Sequence, residues 1–218
     1  AVVRIHGKNK GIAITVDSAA HYCLANPETG GKQVVCETWR NLISVGSLPI
    51  AITNCLNFGN PEKDKIMGQF VETVDGISQA CNYLDFPVVS GNVSFYNETQ
   101  NKAISPTPTI GGIGLIKNLD LMMTKDLKEV GSCLIVIGKT LGHLYQSEFF
   151  REVMNLYEGP PPEINLFNEK NNGLAIQKLI LNKLVNSVHD ISAGGIIVAL
   201  SEMCISGKIG AKIKLLQN

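Results

Sequence analysis

The chain has no charge excess of either sign: 19 Lys and Arg offset 19 Asp and Glu in 218 residues. It lacks the basic footprint that binding to nucleic acid or an anionic membrane surface draws on, and neither partner is expected. It also lacks any apolar run near the ~20 residues of a membrane-spanning helix, and any charged-then-apolar leader. Its six cysteines, Cys23, Cys36, Cys55, Cys81, Cys133 and Cys204, lie far apart with no C-x-x-C pair. That spacing excludes a disulfide scaffold and a cysteine zinc site, and reads as reduced thiols in a cytoplasmic protein. Histidine is scarce, and His6, His21 and His143 have no partner spaced for metal binding or nucleophilic chemistry. There is no initiating Met: Ala1 opens directly on a strand-like run, as expected of a piece of something longer.

What is present suffices for a full core, in one large domain or two small ones. Ala1–His6 and Gly11–Asp17 are β-rich runs joined by the turn tetrad Gly7–Lys10, a hairpin. Asn26–Gly31 reads as a loop by its Asn, Pro and Gly content. Val34, Val35, Thr38, Trp39, Leu42 and Ile43 recur at helical spacing, so Lys32–Val45 is expected as a helix with one buried stripe and Gly46 as its C-cap. Pro49–Asn54 is expected as a strand, Lys65–Leu84 as a second amphipathic helix, and Phe86–Ser90 as the next strand. The glycines of Thr109–Ile116 mark bulges in a curved sheet or close approach of another backbone or a ligand. The order β-β-α-β-α-β-β predicts a mixed sheet with helices on one face, in an α/β (α+β) layer architecture.

Asn118–Val130 has no long apolar period and marks a domain boundary. Beyond it the pattern predicts a strand over Ser132–Gly138, a helix through Phe149–Tyr157, a helix over Leu174–Val185 and a strand end at Ser187–Asp190. A glycine-started helix over Ile191–Ser206, closed by Gly207, and an alternating strand over Ala211–Leu215 complete it. These are too few strands to close a sheet, as in a truncated unit.

The chemistry concentrates between Ile52 and Tyr96. Thr53-Asn54-Cys55-Leu56-Asn57-Phe58-Gly59-Asn60-Pro61 and Ser90-Gly91-Asn92-Val93-Ser94 each follow a short apolar run, which puts them in turns at strand ends, where open α/β sheets gather ligand groups. They offer amides (Asn54, Asn57, Asn60, Asn92), hydroxyls (Thr53, Ser90, Ser94) and glycines (Gly59, Gly91) that let a ligand approach the backbone. The set suits an oxygen-rich anionic ligand such as a nucleotide with its metal ion. Strand ends also attract these residues simply because they make turns. Gly138-Lys139-Thr140 is not a P-loop, because Cys133 stands where the motif's first glycine belongs. His189-Asp190 before Gly194-Gly195 reads either as a magnesium or phosphate contact at a helix start, or as a helix-capping Asp190 beside a satisfied core histidine.

Thr53–Lys63, Phe86–Glu98, Pro106–Gly112 and Val188–Ser192 with Gly194-Gly195 together resemble phosphoribosylformylglycinamidine synthase, in the large subunit of its small multi-subunit form. The resemblance covers nearly the whole chain and corresponds to the second of two similar halves. It implies an AIR-synthetase-like amino-terminal domain with a mixed sheet over 1–119 and the beginning of an AIR-synthetase-like carboxy-terminal domain over 120–218. It implies an ATP-dependent, magnesium-dependent conversion of formylglycinamide ribonucleotide to the amidine, with ammonia from glutamine, in purine biosynthesis. By the resemblance Asn54 and Gly91 contact ATP, Asn92 holds Mg2+ through its side-chain oxygen, and Ser94 contacts the substrate. The family commonly has aspartate at Asn54 and at Ala193, so both positions here are neutral. The catalytic histidine belongs to the first half, so no catalytic residue is expected in this chain and no turnover from it alone. Implied partners are the first half of the same synthase, a glutamine amidotransferase subunit and a small accessory subunit. An exposed half-barrel also predicts self-association through the first domain. The competing readings are another enzyme of this superfamily, such as aminoimidazole ribonucleotide synthetase or a selenophosphate synthetase, and a non-catalytic nucleotide-holding or assembly module.

Overall fold

The computed structural model of the chain describes residues 1–213. β1 (Val2–Arg4) and β2 (Gly11–Ser18) form the expected hairpin, with Val2 opposite Ala13. A short helix α1 (Ala20–Ala25) leads into α2 (Pro27–Ser44), followed by β3 (Leu48–Asn57), α3 (Asp64–Leu84) and β4 (Val88–Ser94). A small hairpin, β5 (Glu98–Thr99) with β6 (Lys102–Ala103), precedes β7 (Thr107–Ile116). The main sheet has the order β1-β2-β7-β3-β4. Only β3 and β4 are parallel, because α3 carries the chain back between them.

Helices α2 and α3 pack on one another and on one sheet face. Trp39 and Leu42 of α2, Ile77 and Ala80 of α3, and Ile52, Ile110 and Phe86 are all buried in one core. The glycines of β7 serve close approach rather than bulges. A Cβ on Gly112 would lie 2.4 Å from Thr38, and one on Gly114 would lie 2.5 Å from Ser47 Oγ. The register irregularities fall instead in β3 and its neighbour, at Pro49/Ala51 and Ile52/Thr53.

The stretch Asn26–Gly31, expected as a loop, is the cap and first turns of α2. Asn26 Oδ1 accepts from Thr29 N at 2.9 Å, and Pro27 occupies the first helical position, where a missing N–H costs nothing. Its glycines are tolerated because they admit neighbours: a Cβ on Gly31 would lie 2.4 Å from the Thr73 carbonyl of α3. The turn expected after Asn54 is also replaced. β3 runs on to Asn57 and β4 to Ser94, because each supplies the other's backbone partners.

Beyond β7 regular structure thins. The run 132–138, expected as a strand, has no regular structure, having no neighbouring strand to pair with among the described residues. The helix expected through Phe149–Tyr157 is one π turn, Phe149–Val153. The next helix, α4 (Leu166–Leu181), starts earlier than its apolar pattern indicates, because Asn165 Oδ1 caps Asn168 N at 3.0 Å, and it stops earlier, at Leu181. The segment 187–190 is not a strand, and α5 (Gly195–Gly207) begins only after its N-cap Gly194, whose φ of 83° suits glycine. Residues 211–213 are irregular, and the remainder of the expected last strand lies outside the described residues.

Helix α4 docks on the first unit rather than on the segment around it. Arg40 Nε meets Glu169 Oε1 at 2.5 Å, Gln177 Nε2 donates to Ser47 O at 3.2 Å, and Lys170 Nζ donates to Asp85 and to Tyr83 O at 2.8 Å each. Gly173 faces the Trp39 ring so closely that a Cβ would lie 2.2 Å from it. No helix among the described residues is long and apolar enough to cross a membrane.

Candidate functional site

Because β3 and β4 are parallel, their carboxyl ends lie side by side, with Asn54 opposite Gly91, Cys55 opposite Asn92 and Asn57 opposite Ser94. Residues in register share a sheet face, and neighbours along a strand alternate. Asn54 pairs across β7 with the fully buried Ile110, so it points to the helix-bearing side. Its Oδ1 would lie 1.9 Å from a Cβ on Gly91; only glycine leaves room for this amide. Asn92 and Ser94 point to the opposite, open face. The four residues therefore meet within one strand pair but divide two and two across the sheet.

Strand β4 is the sheet edge, and Gly91 and Asn92 are exposed on it. A ligand wrapped over this edge can meet Asn54 and the Gly91 backbone on one side and the Asn92 amide on the other. The polar open face continues with Thr53 and Ser90, with Asn57 and Ser94, and with Thr107 and Thr109 of β7. Thr107 and Thr109 lie in the Pro106–Gly112 string that carries the resemblance but are not among the site residues it implies. Their signal is the Pro106-Thr107-Pro108-Thr109 alternation, in which both prolines are fully buried and the threonines take the other face. Asn60, by contrast, is taken up locally: its Oδ1 accepts from Glu62 N at 2.9 Å. Gly59 makes room for Ala103.

The chain after β4 is tied back to the end of β3. Phe58 N donates to Ser94 O at 3.0 Å, Asn97 N to Phe58 O at 3.1 Å, and Tyr96 N to Gly59 O at 3.0 Å. The Phe58, Phe70 and Phe95 rings pack edge to face beneath. Lys63 Nζ meets Glu98 Oε1 at 2.6 Å and holds that carboxyl below its ordinary range, while the charge of Glu62 raises the Tyr96 phenol.

The same open face changes character toward β1 and β2. Val3, Ile12, Ile14, Val16, Leu48 and Ile113 expose their side chains there, Val16 by 65%. Together they make a contiguous apolar patch on the sheet.

His189 and Asp190 form a separate cluster. His189 lies 3.1 Å from Asp190 Oδ1 and 2.8 Å from Glu202 Oε2, and Lys125 meets Glu202 at 3.0 Å. Asp190 does not cap α5, whose N-cap is Gly194. Its partner is His189, so of the two readings the histidine is satisfied and the cap is absent. Nearby, burial pushes the Glu37 carboxyl above its usual range, opposed by Arg40. No group of three or more His, Cys, Asp and Glu among the described residues is placed to hold a metal ion.

A mixed sheet with helices on one face is the α/β fold shared with known proteins. Residues 1–116 match the AIR synthase related protein N-terminal domain and residues 129–217 the AIR synthase related protein C-terminal domain, and the chain belongs to this family. It is 64% identical over 213 residues to phosphoribosylformylglycinamidine synthase subunit PurL of Pelagibacter ubique, covering 98% of this chain and 29% of that protein. Among solved structures it is similar to T. maritima PurL complexed with ATP (TM-score 0.60) and with FGAR (TM-score 0.61). Both are 26% identical to it over 84% of this chain, which spans 26% and 25% of theirs.

Proposed function

We propose that this chain is a segment of a phosphoribosylformylglycinamidine synthase and supplies one wall of a site for ATP and FGAR. The observation that carries the reading is the β3/β4 register, which sets Asn54 against Gly91 and puts Asn92 and Ser94 on the adjoining open face. The similarity to PurL proteins complexed with ATP and with FGAR supports it. In this reading Asn54 and the Gly91 backbone hold ATP, and Ser94 contacts FGAR. The single exposed amide oxygen of Asn92 suits a magnesium ion that takes its other ligands from water and phosphates. Magnesium, when bound, neutralises charge on the phosphates being transferred.

The reaction moves the γ-phosphoryl group of ATP to the amide oxygen of FGAR, releasing ADP. Ammonia then attacks the activated carbon through its nitrogen lone pair, and the C–O bond breaks with its electrons leaving on inorganic phosphate, so the product is an amidine. This chain's residues bind and orient the reactants. The acid–base machinery belongs to the first half of the synthase, and the isolated chain does not turn over. The two domains divide at 119/120. The apolar end of the open face is covered by the first half of the same synthase. The whole works in the cytoplasm with an amidotransferase subunit and a small accessory subunit, and this chain alone pairs with itself through that face.

Thermal melting with ADP and Mg2+ tests the nucleotide site. The expected result is a rise in Tm for the wild type that Asn92→Ala diminishes. No rise in either protein overturns nucleotide binding and favours an assembly role for the segment.

A further inference from the structure

We propose that Asn97 is a positioning residue that turns the Ser94 hydroxyl into a hydrogen-bond donor toward an oxygen acceptor of the substrate. The proposal rests on the reading of Ser94 as a substrate contact and adds the group that sets its polarity.

The geometry fixes which way the Asn97 amide faces. Its Nδ2 lies 3.0 Å from Phe58 O and 3.0 Å from Ser94 O, and both of these are carbonyl oxygens that can only accept. The amide nitrogen must therefore stand on this side, and the oxygen cannot be exchanged for it without setting three acceptors against one another. The same Nδ2 lies 3.1 Å from Ser94 Oγ, nearer than the 3.5 Å that separates Ser94 Oγ from Asn97 Oδ1. Ser94 Oγ is thus engaged as an acceptor within the protein. Inside the protein its own proton has only the long 3.5 Å contact to Asn97 Oδ1, so a ligand oxygen on the open face it shares with Asn57 and Thr107 can draw it outward. A phosphate, ribose or carbonyl oxygen is the ligand group that such a hydroxyl recognises.

Asn97 is itself held in place. Its backbone N–H donates to Phe58 O at 3.1 Å, and its carbonyl accepts from Ile104 N at 3.1 Å. The preceding Tyr96 adopts a φ of 60°, a conformation most side chains avoid, and this turn brings Asn97 back under the ends of β3 and β4. The amide therefore spans both strand ends while touching the hydroxyl that emerges between them.

The test is a double-mutant cycle in the full-length synthase, reading FGAR affinity by calorimetry, with Tm of each unliganded variant as the check on folding. Asn97→Asp keeps the shape but presents a carboxylate that accepts the Ser94 proton. It is expected to weaken FGAR binding about tenfold in the wild-type background and not at all in the Ser94→Ala background. Asn97→Ala, which removes the donor without adding an acceptor, is expected to give a smaller loss with the same dependence on Ser94. It serves as the test variant if Asn97→Asp does not fold. Equal losses with and without Ser94 mean that Asn97 only holds the strands together, and overturn the proposal. If Ser94→Ala alone leaves FGAR affinity unchanged, the substrate contact itself is wrong. If Ser94→Ala weakens binding but neither Asn97 variant does, the contact stands and the positioning role fails.

Discussion

Helices α2 and α5 are both expected from the sequence and have opposite fates. In α2, Val34, Val35, Cys36, Trp39, Leu42 and Ile43 are all buried, between the sheet on one side and α3 on the other. In α5 only Ala199 is buried, while Ile197 and Ile205 are 74% and 75% exposed. The lesson is that periodicity specifies a helix and its apolar content, but burial needs a surface to pack against. The first unit provides that surface within 116 residues of sheet and helix. Among the described residues, the segment from 122 onward contributes mainly α4 to it.

Mutations that compare the two regions should differ most in the core. Phe86→Ala removes a fully buried ring that packs near Gly112, and is expected to cost about 3–5 kcal/mol in urea unfolding. Ile197→Ala on α5 should cost less than about 0.5 kcal/mol, and a cost near that of Phe86→Ala would show that α5 is covered in solution.

Next in size is the link between the regions. Arg40→Ala removes a partly buried pair with Glu169 and a hydrogen bond to Ile191 O at 3.2 Å, and should cost about 2 kcal/mol. The same experiment should raise hydrogen exchange along α4 more than along α3. Equal exchange in both helices would mean that α4 is not anchored through this pair.

The cysteines give a pH-dependent version of the comparison. Burial pushes the Cys23 thiol up to about 12 and Cys81 up to about 11. In the unfolded chain these thiols ionise near their ordinary value, so the folded state binds more protons above it. Stability should therefore fall as pH rises from about 9 toward 11, by at most about 1.4 kcal/mol per pH unit for each thiol. Cys23→Ala should flatten the slope. Under native conditions Cys133, which is exposed, should alkylate before Cys23 and Cys36.

The smallest effect is expected on the open sheet face. Val16→Lys should leave Tm nearly unchanged but lower the weight-average mass by light scattering if the apolar face mediates self-association. A strictly monomeric wild type at high concentration would remove that interface.

How much was legible depended on whether the signal was local. The β1–β2 hairpin follows from its β-rich runs and the Gly7–Lys10 turn, and the apolar stripe of α2 and nearly all of α3 follow from spacing, since each reports its own buried face. The start of α2 was misread although Asn26 and Pro27 carry a helix-start signature, because Gly30 and Gly31 look like a loop until Cys23 and Thr73 are seen against them. The candidate site residues Asn54, Gly91, Asn92 and Ser94 are expected in turns, and the structure places them in paired strands instead. Asn97 carried no local signal of its role, because its partners Phe58 and Ser94 meet only when β3 and β4 are in register.

By itself the sequence determined which residues are polar and small at two places along the chain, and which helices have an apolar stripe, because these depend on neighbours a few residues away. The tertiary structure decided that the two polar stretches are adjacent parallel strands. It also decided that Asn54 and Asn92 face opposite sides of the sheet, and that α4 rather than α5 packs against the first unit. Those outcomes come from hydrogen-bond register and close packing between segments far apart in the chain, which no local pattern encodes.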